Sequence, residues 1–149
     1  MTGHIFHIAR SNGGVPKNSV SEANVGELGL EGDRQKHTKV HGGPERALCL
    51  FSLEVMEKLQ REGHPIYPGS TGENVLIAGL DWAALKSGTR IALGDVIVEL
   101  TRTAEPCKNI AASFIDRKFK RLEAANEMRW YCRIVQTGHV RVAMPVRVL

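Results

Sequence analysis

No run in this sequence approaches the roughly 18 consecutive apolar residues that suggest a membrane-spanning helix, so no transmembrane segment is expected. The first residues also lack a charged stretch followed by an apolar run and a cleavage site, and the chain is therefore expected to stay in the cytoplasm. Cysteine is scarce. Cys49, Cys107 and Cys132 are odd in number and have neither CxxC nor CxxxxC spacing, which argues against a disulfide framework or zinc ribbon and fits a reducing compartment. Three scattered thiols also cannot supply the thiolate set of an iron-sulfur cluster. Aromatic residues make up 5% of the chain and are not interleaved with the basic ones, so the formal charge of +4 lacks the stacking platforms of a nucleic-acid surface. A Walker loop, a GxGxxG turn and a nucleophile elbow are all missing, and the six histidines suggest no triad. His37 and His41 stand at HxxxH spacing, but the glutamate of a metalloprotease helix is absent and Gly42-Gly43-Pro44 opposes a continuing helix.

What is present reads as one folded domain spanning 1–149, with 42% hydrophobic and 24% charged residues. Short β-type segments dominate: HIFHIA at 4–9, RALCLF at 46–51, ENVLIA at 73–78, RIAL at 90–93, DVIVELTR at 95–102 and YCRIVQT at 131–137. The closing run HVRVAMPVRVL contains Pro145, which cannot donate to a central ladder and predicts an edge, a bulge or a bend. One helix is well specified: Ser52 is a good N-cap, Leu53, Met56 and Leu59 share a face, and Gly63 can end it. Asp81 suggests a short second helix over 82–85, and the polar stretch 110–128 reads as helical with Phe114, Phe119 and Leu122 as apolar contacts. Many strands, few helices and no alternating βαβ pattern predict a mainly β fold, an antiparallel or mixed barrel.

Cys107 is the most informative residue for chemistry. It follows Pro106 after a strand, in a loop, with Lys108 beside it and Arg102 nearby in sequence. Cations favour the thiolate, which is both the nucleophilic form and a soft metal ligand; the competing reading is a small buried hydrophobe. Cys49 and Cys132 lie inside apolar strand-like runs and read as core. Three glycine-punctuated stretches, GLEGDR at 29–34, HGGPER at 41–46 and PGSTGEN at 68–74, can present backbone amides and arginine to an anionic ligand. Ordinary barrel turns use the same residue types, so that reading stays open as well.

Taken in order, GGVPK at 13–17, GLEGDRQ at 29–35, HGGPERAL at 41–48, PGSTGENVLIAGLDW at 68–82 and EPCKNI at 105–110 resemble the MOSC domain family, named for the C-terminal domain of molybdenum-cofactor sulfurases. The resemblance implies a MOSC-type β-barrel and a cysteine, here Cys107, that ligates molybdenum or carries sulfur as a persulfide. It implies that Lys17 and Arg34 suit the phosphate of a molybdopterin cofactor and that Asn74 lines the pterin, with His41, Gly42, Gly43 and Arg46 contributing from the neighbouring loop. Cys107, Arg34, Asn74 and the 41–46 loop are thus expected on one side of the barrel. The Gly-Asp turn usual near the family's C-terminus is replaced here, so closure of the barrel there is expected to differ.

The leading functional expectation is a molybdenum-cofactor protein that reduces N-hydroxylated or similar small substrates at a Cys107-ligated metal. No flavin, haem or cluster motif is visible, so electrons must come from a separate reductase. One alternative is a sulfur carrier or cofactor-binding module using a Cys107 persulfide supplied by a sulfur donor. Another is a non-catalytic structural or regulatory domain. Autonomous sulfur extraction is not expected, because no lysine stands in a recognisable pyridoxal-phosphate motif.

Overall fold

The structure is a computed structural model and describes residues 2–33 and 43–149. Its main element is a closed ring of seven strands. Going round the ring, these are β11 (Pro145–Val148), β7 (Arg90–Leu93), β8 (Val96–Ala104), β9 (Arg129–Gln136), β5 (Leu48–Ser52), β6 (Val75–Ala78) and β1 (Thr2–Arg10), after which β1 pairs back onto β11. β2 (Asn18–Val20) continues the sheet beyond one end of β1. A smaller sheet is formed by β10 (Gly138–Arg141), β3 (Glu22–Gly26) and β4 (Gly29–Leu30).

The sequence patterns explain the two kinds of strand. β8 alternates, burying Val96, Val98 and Leu100 while the intervening side chains are less covered, as expected for a strand with one face on the core. β5 and β6 are buried at every residue. They pair parallel, Leu50 opposite Val75, and parallel neighbours require a crossover. That crossover contains α1 (Leu53–Arg61), whose Val55, Met56 and Leu59 are buried in the same core cluster as Leu50, Phe51, Leu76 and Ile77. Covered on both faces, these strands read as continuous apolar runs. The Ser52 side chain accepts from the Val55 amide at 3.2 Å, and Gly63, at φ 98°, follows the helix end. The expected short helix after Asp81 is a 3-10 turn, Trp82–Ala84, and Trp82 donates to the Met128 carbonyl at 2.7 Å.

The stretch 110–128 departs from expectation. It is a chain of 3-10 turns, Lys108–Ser113, Ile115–Arg117 and Phe119–Glu123, broken where Asp116 and Arg117 adopt φ of 52° and 59°. Spacings of five and then three residues between Phe114, Phe119 and Leu122 do not share one α-helical face, and Lys118 falls where the stripe from Phe114 would continue. The tighter, kinked path buries Phe114 and Leu122 and leaves the lysine outside the core cluster. An ion-pair network holds it outside α1: Arg121 binds Glu62 at 2.8 Å and Glu127 at 2.9 Å, and Lys58 reaches Glu127.

Barrel closure runs through Pro145. The residue opens β11, where a missing N–H is tolerated, and its carbonyl accepts from Gly94 at 2.9 Å. The replaced Gly-Asp turn does not prevent closure: Ala143 takes the left-handed position at φ 77°, and its amide donates to Ile5 at 2.8 Å. Among the described residues no helix is long and apolar enough to cross a membrane. A left-handed alanine carries strain that glycine avoids, whereas glycine loses more chain entropy on folding. Ala143→Gly is therefore expected to stabilise the protein by about 0.5 kcal/mol in urea denaturation; a clear loss of stability would contradict this account of the turn.

Candidate functional site

Strand register builds one wall of the site. Cys49 on β5 stands opposite Tyr131 on β9, and Tyr131 stands opposite Arg102 on β8 beyond a register shift after Leu100. Residues two apart on a strand face the same way, so Arg129 shares the face of Tyr131. Arg129 pairs in register with Ala104, and Cys107 follows three residues later. Cys49, Ala104 and Tyr131 form a small buried cluster separate from the main core. Two guanidinium groups flank the Tyr131 ring, Arg46 at 5.8 Å and Arg102 at 6.0 Å from its centroid, within cation–π range.

The opposite wall is made by two loops held backbone to backbone. The Lys17 amide donates to the Gly69 carbonyl at 2.9 Å. Gly69 has φ of 88°, and a Cβ there would lie 2.5 Å from the Lys17 carbonyl oxygen, so the approach requires glycine. The buried Glu73 carboxylate shapes the 68–74 loop by accepting from the Gly69 amide at 2.6 Å and from the Thr71 hydroxyl at 2.6 Å. The Thr71 carbonyl in turn accepts from Arg129 Nη1, and Arg129 Nη2 donates to the Ala104 carbonyl at 3.3 Å. Arg129 thereby bridges the loop to the end of β8.

Behind this wall lies a buried polar centre. Asp33 Oδ1 accepts from Lys17 Nζ at 2.7 Å and from the Ser11 amide at 2.9 Å; Oδ2 accepts from Asn74 Nδ2 at 3.0 Å. The Lys17 and Asp33 side chains are 5% and 3% exposed, so the ion pair is desolvated. Asn74 also donates to the Ala9 carbonyl and accepts from the Cys49 amide at 2.9 Å. The network connects β1, both loops and the residue opposite Tyr131.

Between the walls is a cavity of about 80 Å³, lined among others by Val15, Lys17, Cys49, Thr71, Cys107, Arg129 and Tyr131. This is smaller than the roughly 300–1,000 Å³ of pockets that enclose a drug-sized ligand; it can take a small molecule or one end of a larger one. Cys107 is partly exposed on it. Cys49 also lines it although buried, and desolvation pushes its thiol up to about 11, with Arg129 opposing the shift. Burial likewise pushes up Cys132, which lies in the core and does not line the cavity. Tyr131 is pushed up to about 12, chiefly by burial, so its hydroxyl is neutral near pH 7.

Of the residues expected at a site, the structure places Cys107 and Lys17 on the cavity. Asn74 lies behind it, holding the Cys49 backbone. Arg46 borders it through Tyr131, and Gly43, exposed at φ 93°, precedes the 3-10 turn Pro44–Arg46. Arg34, His41 and Gly42 lie outside the described residues. Sequence reasoning missed Asp33, Glu73, Arg129 and Tyr131 and placed Cys49 in the core alone. Asp33 and Glu73 stood inside the quoted glycine motifs, whereas Arg129 became visible only through strand register.

Removing one member of a buried ion pair leaves the other charge unpaired and typically costs about 3–5 kcal/mol. Asp33→Ala and Lys17→Met are each expected to lose about 3 kcal/mol in urea denaturation, with the double variant losing less than the sum. Additive losses below about 1 kcal/mol each would show that the pair does not organise the site.

The MOSC domain family profile matches residues 37–147. Protein YiiM of Escherichia coli (strain K12) is 28% identical over 128 residues, covering 83% of this chain and 57% of that protein. The uncharacterized protein YflK of Bacillus subtilis (strain 168) is 28% identical over 116 residues, covering 74% of this chain and 51% of that protein. The chain thus spans about half the length of these curated relatives. The crystal structure of YiiM from Escherichia coli superposes with a TM-score of 0.75 at 23% identity, over 100% of this chain and 70% of that one. The YuaD protein of Bacillus subtilis gives a TM-score of 0.72 at 18% identity, over 99% of this chain and 96% of that one. The strand ring and the profile match, which spans the cavity-forming segments from Cys49 to Tyr131, agree: the chain belongs to the MOSC domain family.

Proposed function

We propose that this protein binds a molybdenum cofactor at the described cavity, with Cys107 as thiolate ligand, and reduces N-hydroxylated or similar small substrates with electrons from a separate reductase. The observation that carries the reading is a partly exposed thiol sharing a cavity with a buried guanidinium whose Nε has no acceptor among the described residues. A thiolate is a soft metal ligand, and a guanidinium N–H suits an anionic ligand. Among the described residues no three His, Cys, Asp or Glu side chains gather to hold a metal, so a metal at Cys107 takes its other ligands from the group that carries it. The residues present therefore fit a metal delivered within a cofactor.

When bound, that cofactor supplies the redox chemistry. The protein's residues do the rest. Cys107 anchors the group from the loop after β8. Thr71 and Arg129, joined by a hydrogen bond, give the cavity a polar side. Cys49 and Tyr131 give it a dry one, because both stay neutral near pH 7. Glu105, exposed where it lines the cavity, can exchange protons with water for a substrate whose oxygen leaves as water. Reduction of an N-hydroxylated amine in this way consumes a pair of electrons and a pair of protons.

The test is production in cells that make the cofactor, followed by metal and pterin analysis. About one molybdenum per chain is expected in the wild type, with loss of the metal from Cys107→Ser while the variant stays folded, because serine keeps the shape and removes the soft ligand. Iodoacetamide at neutral pH is expected to label Cys107 in the cofactor-free protein before Cys49 or Cys132, whose burial holds them protonated. Full molybdenum loading of Cys107→Ser would overturn the assignment. Sulfane sulfur on Cys107 without molybdenum would instead support the sulfur-carrier alternative.

A further inference from the structure

Among the described residues only two buried side-chain nitrogen or oxygen atoms lack a hydrogen-bond partner, Arg129 Nε and Arg46 Nη1. Of the two, Arg129 lines the cavity, whereas Arg46 stacks on the Tyr131 ring and is not a lining residue. An unsatisfied buried donor is destabilising, more so when charged, and such atoms are rare in folded proteins. Arg129 shares the cavity with Cys107, so a ligand bound there is the natural source of the missing acceptor.

Arg129 is 6% exposed, and its two terminal nitrogens are already committed to the Thr71 and Ala104 carbonyls. Those bonds fix the plane of the guanidinium without neutralising it. No ion pair to Arg129 occurs among the described residues, whereas Lys17, the other cation on the cavity, is paired with Asp33. The carboxylate lining the cavity, Glu105, is exposed to solvent. A fixed cation with one N–H to spare, beside a partly exposed thiol, suits a ligand that has an oxyanion near its reactive end.

We propose that Arg129 is an oxyanion-binding residue of this cavity, its Nε–H donating to a phosphate- or sulfate-type oxygen of the molecule bound beside Cys107. The inference deepens the reading above and rests on it only in taking this cavity as the ligand site. The oxygen can come from the phosphate of a cofactor or from a free oxyanion group on a substrate; recognition at Arg129 is the same.

The test uses inorganic sulfate as the probe, titrated at constant ionic strength against chloride, with the arginine Nε–H resonances followed by NMR in the cofactor-free protein. A saturable shift at Arg129 is expected, with little change at Arg121 and Arg133, whose Nε groups already donate to carboxylates. The same titration is expected to slow alkylation of Cys107. Arg129→Lys keeps a charge and can reach a carbonyl but lacks the Nε donor, so sulfate affinity is expected to fall at least about tenfold. If that variant does not fold, the wild-type resonances still decide. No saturable shift at Arg129, or equal shifts at all arginines, overturns the proposal, as does unchanged affinity in folded Arg129→Lys.

In protein purified with pterin bound, loss of the sulfate response assigns the site to the cofactor's phosphate, and a persisting response assigns it to a free oxyanion. Molybdenum loading that depends on Cys107 without any sulfate response sinks this inference and leaves the function standing. A sulfate response without molybdenum loading does the reverse.

Discussion

The candidate site depends on a buried charge pair, one member of which, Lys17, also lines the cavity. Lys17 and Asp33 are almost fully removed from water and pair with each other at 2.7 Å. The remaining Asp33 acceptor sites take the Ser11 amide and the Asn74 side chain, so the desolvated carboxylate is satisfied on several sides. Asn74 passes the constraint on by accepting from the Cys49 amide, which sets β5 beside β9 at the row containing Tyr131. Charge satisfaction in one loop thereby positions an apolar wall two strands away.

The same chain of cause runs through the second buried carboxylate. Glu73 organises the loop that presents Thr71, Thr71 receives Arg129, and Arg129 reaches the end of the strand that leads to Cys107. The barrel provides the rigid part, since its ring closes through β11 and β1. The reactive-looking groups sit where strands give way to loops, on elements held by carboxylates that a ligand need not touch. This arrangement leaves Cys107 and Arg129 available to the cavity while their neighbours are saturated.

How much of this was legible in the sequence follows from the range of each interaction. Period-2 alternation and continuous apolar runs are local, so β5 to β9 and the Ser52-capped helix could be read directly. The glycine motifs marked the loops, and Pro106-Cys107 marked the thiol. The stretch 110–128 was misread as helical because composition permits a helix, while the spacing of Phe114, Phe119 and Leu122 is met only by a kinked run of 3-10 turns. Arg129 and Cys49 were missed for a different reason. Their roles come from register across β5, β9 and β8, a non-local quantity that no window of sequence contains. Asn74 stood inside a quoted glycine motif, but its bonds to the Cys49 amide, the Ala9 carbonyl and the Asp33 carboxylate join segments far apart in sequence.

The proposed function turns on one contact, that of the Cys107 thiolate with the metal in this cavity. X-ray absorption at the molybdenum edge of the loaded protein reads that contact directly, because sulfur and oxygen scatterers differ in distance and strength. One more sulfur neighbour is expected in the wild type than in any molybdenum retained by Cys107→Ser, and an unchanged sulfur count in Cys132→Ala. The same sulfur count in wild type and Cys107→Ser would contradict it.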